Sequence, residues 1–259
     1  MGLVIRIMVP IAAFLAASLI PSGAAFARVA DDPAVNRLYT AGPIARTTCA
    51  EKPISKRNNL PIAKAYVTSV VGCLNNAWSK YLAKTGHKFA KPKVALLSKN
   101  PARFCGSKWE KETIYDYCFL NRTIAIVLDR RLLNLKPNDL YIFLTTAELY
   151  GEHVQTLTGL DADWAESAPN PDEDEEGFAE SVRRLHLQAA CLGAAFTASV
   201  YKSMPRKTAE WKSIVREKSK EIGYIYGSAK AITYWLNRGF NSRNPKYCNT
   251  WTASTAQVS

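Results

Sequence analysis

No G-x-S-x-G turn, phosphate-cradling glycine loop or dinucleotide fingerprint occurs in this 259-residue chain. These absences remove the serine-hydrolase elbow, the P-loop and the nicotinamide fold as readings. No recognised reader motif accompanies the positive charge, so nucleic acid is not an expected partner. The cysteines lack the spacing of a zinc site, and no internal repeat is visible. Beyond the first two dozen residues, no run is apolar enough to span a bilayer.

What is present begins with "MGLVIR", one positive charge, followed by the short apolar run "IMVPIAAFLAASLI". "PSGAAFA" then sets small residues at Ala25 and Ala27. This order predicts a secretory signal peptide over 1–27, cut after Ala27, and hence a secreted or cell-envelope protein with no membrane span after cleavage. Six cysteines follow, at 49, 73, 105, 118, 191 and 248. An even count in an exported chain favours three disulfides, and count alone leaves fifteen pairings open. The net charge is +12, yet residues 161–176 hold eight acids and no base. A basic surface of this kind suits an anionic envelope polymer, and it also serves solubility.

The layout reads as an extended, partly mobile arm (28–60), a single domain (61–252) and a short tail (253–259). Val67, Val70, Val71, Leu74, Trp78 and Leu82 recur at three and four, predicting a helix over 61–86. A strand is expected at 92–99 and a hairpin at 113–129, turning near Asn121 and Arg122. Helices are expected over 136–159 and 175–204, with the acidic segment as a solvated loop between them. Two more are expected, over 207–223 and 228–240. Trp211, Tyr224, Tyr226, Tyr234 and Trp235 read as core. The sum is an α+β fold, mainly helical with a small sheet.

The stretch "TTAELYGEHVQTL" (145–157) has the rhythm of a zinc-peptidase helix. In an H-E-x-x-H helix, residues at i and i+4 place two metal ligands on one face, and a glutamate beside the first activates water. Here Glu148 and Glu152 hold the i and i+4 positions, and Leu149 stands where the glutamate belongs. His153 lies about 100° round the helix from Glu152 and reads as a packed, hydrogen-bonded residue.

"AELYGEHVQ" (147–155), "HLQAAC" (186–191), "FCGS…YDYCFLNRTIAIVLD" (104–129), "GSA" (227–229) and "WLNRGFNSRNPKYCNT" (235–250) together resemble the neutral zinc metallopeptidases, a bacterial zincin-like family. The resemblance covers roughly residues 64–252, in the family's order. It implies a zincin-like fold in which Glu148, Glu152 and His186 stand at the three ligand positions. It also implies that Leu149 has replaced the general base and Ala190 the acid that follows the third ligand. The matched scaffold with altered chemistry implies a pseudopeptidase, binding a peptide, protein or envelope partner through the old cleft. Two alternatives stand beside it: a metal-dependent hydrolase with rearranged ligands Glu148, Glu152 and His186, and a structural envelope protein. No cofactor is the main expectation. A divalent ion, zinc or the harder manganese or calcium, belongs to the first alternative. Without a metal, the two glutamates are expected to be exposed, to share a proton, or to pair with Arg183 or Arg184.

The hairpin returns Cys118 toward the "FCGS" segment, which suggests Cys105–Cys118. Cys191–Cys248 would pin the C-terminal region, and Cys49–Cys73 is what remains. The first two pairs also sit at the family's cysteine positions.

Overall fold

The computed structural model describes residues 32–56, 58–134 and 138–259. The expected signal peptide, 1–27, lies outside the described residues. Asn59 opens helix α1 (Leu60–Lys84) by accepting from the Ile62 N–H at 3.1 Å, with Pro61 in the first turn. Its stripe of Val67, Val70, Leu74, Trp78 and Leu82 is buried.

Strands β1 (Lys93–Leu97), β4 (Tyr115–Cys118) and β5 (Thr123–Val127) form a sheet in the order β1-β5-β4. The central β5 runs parallel to β1 and antiparallel to β4. Residues 124–127 of β5 are all buried, as a strand enclosed on both faces requires. The hairpin turns through Arg122 at φ 56°. Two further strands, β2 (Arg103–Phe104) and β3 (Ser107–Lys108), make a tight hairpin whose loop places Cys105 and Gly106 at positive φ.

Helices α2 (Arg130–Leu133), α3 (Asn138–Thr158), α4 (Leu160–Ser167), α5 (Glu175–Val200), α6 (Thr208–Lys218), α7 (Ala229–Ser242) and α8 (Thr255–Val258) complete the fold. The chain is α+β and mainly helical. The centre is a close stack of α3, α5 and α7. A Cβ on Gly151 of α3 would meet the Ala189 carbonyl oxygen of α5 at 2.5 Å, and one on Gly239 of α7 would meet that of Cys191 at 2.1 Å. Only glycine permits such backbone approach. Disulfide Cys191–Cys248 ties α5 of this stack to the turn after α7, Cys49–Cys73 ties the arm to α1, and Cys105–Cys118 ties the β2–β3 loop to β4. Among the described residues, no helix is long and apolar enough to cross a membrane.

Four expectations need correction. The acidic segment is not one loop: residues 160–167 are α4, because Leu160 is buried and Trp164 packs on Phe178 and donates to Ser181. The tail carries an element that was not expected: its last turn is α8, with Val258 fully buried and Trp235 Nε1 donating to the Gln257 carbonyl. The arm is extended only in part. It makes two 3-10 turns (Pro33–Val35 and Arg37–Tyr39) and buries Leu38 and Ile44. The helix expected over 207–223 stops at Lys218. A bridge between Gly223 and Gly227 follows, with Gly227 at φ 89°.

Candidate functional site

Glu148 and Glu152, one turn apart on α3, face a pocket of about 100 Å³ that His186 of α5 also lines. Leu149 contributes a hydrocarbon wall, 3% exposed. The fold therefore brings the three ligand-position residues to one cavity. They do not form one cluster. His186 Nδ1 stands 3.6 Å from Glu152 Oε1, too long for a hydrogen bond. Glu148 turns to a different partner, Lys218.

Lys218 ends α6 and is 3% exposed. Its Nζ sits 2.7 Å from Glu148 Oε2 and 2.7 Å from Glu221 Oε2. The rings of Tyr141 and Tyr115 lie 4.9 and 5.2 Å from the ammonium, within cation–π reach. Glu221 is held in turn by the hydroxyls of Tyr115 (2.7 Å) and Tyr141. Burial opposes the ammonium's charge. The two carboxylates outweigh it and raise its pKa well above the ordinary value. One cation serving two carboxylates, Glu148 largely buried and Glu221 31% exposed, leaves a surplus negative charge. Glu148 absorbs it: burial raises its pKa to about 7, with Glu221 and Glu152 adding to burial and Lys218 opposing.

Asp116 of β4 stands at the same pocket and was not anticipated. Desolvation by the pocket wall, then the Glu152 carboxylate, raises it to about 6. Tyr226 covers His186, ring to ring at 5.0 Å.

The expected arginine partners do not reach the glutamates. Arg183 binds Glu176 at 2.5 Å and the Tyr224 carbonyl at 2.8 Å, while Arg184 binds Glu180 at 2.6 Å and the Thr250 carbonyl. Both are engaged by these other partners, and Lys218 pairs with Glu148 instead. Trp211 and Trp235 are core residues, but Tyr224, Tyr226 and Tyr234 are 52, 47 and 36% exposed. The first two ride on the turn after α6, and Tyr234 lies on the outer face of α7.

His153 is fully buried. Its Nε2 lies 2.8 Å from the Ala90 carbonyl, which can only accept, so Nε2 carries the hydrogen and Nδ1 faces the Tyr117 hydroxyl at 3.0 Å. Burial lowers its pKa to about 4, so it is neutral. Gln155 and Gln188, both in the motifs that carry the resemblance, hydrogen-bond each other at 2.9 Å in the core. Their role is to join α3 to α5.

Among the described residues no three His, Cys, Asp or Glu side chains stand so as to hold a metal ion. Glu148 already has an ammonium at contact distance. Lys218 had a sequence signal: Trp211, Ile214, Val215 and Lys218 recur at three and four, placing it on the inward stripe of α6. The charged run "REKSKE" around it hid that position.

No family model matches the chain, and neither a curated protein nor a solved structure matches it.

Proposed function

We propose that this chain is an exported, non-catalytic member of the zincin-like neutral metallopeptidase group, acting by binding a peptide, protein or envelope partner. The observation that carries it is the Lys218 ammonium, 2.7 Å from Glu148. An internal cation meets the first ligand-position residue, so the pocket has no demand for a metal there. Leu149 adds to this. Without a carboxylate at that position a hydrolytic water lacks its base, typically about 10²–10⁴ in rate. The three disulfides belong to an oxidising compartment, which supports export.

The test is calorimetry with zinc, manganese and calcium, run beside a peptide-hydrolysis assay. No heat and no turnover are expected. Micromolar metal binding lost in His186→Ala, with turnover abolished by a chelator, would overturn the reading in favour of the rearranged hydrolase.

A further inference from the structure

A larger cavity than the Lys218 pocket lies elsewhere. A groove of about 1150 Å³ runs along the outer face of α7 and is closed at one side by Gln257 of α8. Lys230, Tyr234, Arg238 and Asn241 follow one another at intervals of three or four along that face. From Lys230 to Asn241 the helix rises roughly 16 Å at 1.5 Å per residue. Ile232, which lines the Lys218 pocket, is two residues from both Lys230 and Tyr234, on the opposite side of the helix.

Arg238 is the fixed point of the groove. Its guanidinium lies 5.3 Å from the ring of Tyr247, 5.5 Å from Tyr234 and 5.8 Å from Trp235. Nε donates to the Tyr247 carbonyl at 2.8 Å and Nη1 to the Tyr234 hydroxyl at 2.9 Å. A surface arginine ordinarily loses rotamer freedom on binding. Three rings and two hydrogen bonds have already removed it here, which is preorganisation for a ligand. The groove's charge is of one sign: among the described residues Lys230 and Arg238 line it, and no acid does. Its exposed aromatic surface is tyrosine, with Tyr247 at 45% and Tyr234 at 36%. Among the described residues the aliphatic side chains that line it are alanines, which offer no deep pocket for a large apolar peptide side chain. Flat rings beside amides and hydroxyls match the faces and hydroxyls of sugars, and the two bases match carboxylates.

We propose that this groove binds an acidic glycan, a sugar chain carrying repeated carboxylates. This names a partner within the binding role proposed above, but its site is independent of the Lys218 pocket. The test uses the whole protein and four probes: an oligogalacturonate, a neutral galactose oligomer, polyphosphate and polyglutamate. The oligogalacturonate is expected to bind, at least ten-fold more tightly than the other three and less tightly as salt rises. Lys230→Glu, at an exposed position, and Tyr234→Ala are each expected to weaken it ten-fold with an unchanged melting temperature. Lys218→Met is expected to leave it unaltered. Absence of binding, wild-type affinity in both groove variants, or polyphosphate or polyglutamate binding as tightly as the glycan would overturn the proposal. None of these results alters the metal and peptidase outcomes that test the Lys218 pocket.

Discussion

Gly193 of α5 lies against the backbone of Glu148 on α3, where a Cβ would stand 2.7 Å from the Glu148 nitrogen and 2.8 Å from the Ala147 carbonyl carbon. The contact fixes the depth at which Glu148 meets Lys218. It also explains why two long helices of modest amphipathicity pack so tightly. The neighbouring atoms are backbone, so they cannot rotate aside. Gly193→Ala should force α3 and α5 apart and cost about 1–3 kcal/mol, the range for overpacking. Urea unfolding measures it. An unchanged midpoint would mean that the helices separate freely and that the glycine is incidental.

The Lys218 triad predicts non-additive stability. Lys218→Met strips a buried ammonium from two carboxylates, and breaking a buried pair from one side costs about 3–5 kcal/mol. Glu221 keeps two tyrosine hydroxyls, so Glu148 is the group left stranded. Adding Glu148→Gln should therefore recover much of the loss. A double-mutant cycle with no recovery would contradict the pairing.

How much of this was legible depends on distance along the chain. The stripe of α1 and the β4–β5 hairpin are written in local periodicity, and both elements stand where that periodicity places them. Glu148, Glu152 and His186 reach one pocket through two ordinary amphipathic helices. Lys218 escaped because its inward position is visible only when α6 is phased by Trp211 and Ile214. Strands β2 and β3 are two residues each, too short for any alternation to show. Leu160 reads as part of an acidic loop until its burial against the core is known.

His153 and Glu148 should give opposite pH dependences. His153 has a folded pKa near 4 against an ordinary 6.5. The unfolded chain takes up that proton first, so stability present above pH 6.5 is lost as pH falls toward 4, on the order of 3 kcal/mol at full effect. Glu148 is raised from 4.5 to about 7. Its contribution is complete below pH 4.5 and is lost as pH rises through 7. Asp116, raised to about 6, acts in the same direction as Glu148. His153 opposes the two carboxylates between pH 4.5 and 6, so it offsets only part of the fall they give the wild-type profile as pH rises. Relative to wild type, His153→Gln should make stability fall more steeply as pH rises, and Glu148→Gln less steeply. Denaturant midpoints at half-unit steps decide it; parallel profiles for the two variants would refute the assignment.

The arm is held by a charge cluster that joins residues 155 positions apart. Arg206 grips Glu51 through Nε at 2.9 Å and Nη2 at 2.5 Å, with the Glu51 side chain fully buried and that of Arg206 6% exposed. Asp139, at the start of α3, is 3.1 Å from the same guanidinium, and Glu210 of α6 is also 3.1 Å away. The Tyr66 hydroxyl of α1 completes the ring around Glu51. One cation thus ties the arm to three helices, and the fork geometry makes arginine irreplaceable by lysine. Glu51→Gln removes the arm's charge, and its amide nitrogen would face the guanidinium as a second donor. The expected cost is about 3–5 kcal/mol, as for other broken buried pairs. The Cys49–Cys73 disulfide remains, so the arm should loosen locally without leaving. Hydrogen exchange should therefore lose protection at Thr47 and Cys49, whose amides bond Ser199 and Ser203, while the α3–α5 core keeps its own. Uniform loss across the chain would show instead that this cluster supports the whole fold and not the arm.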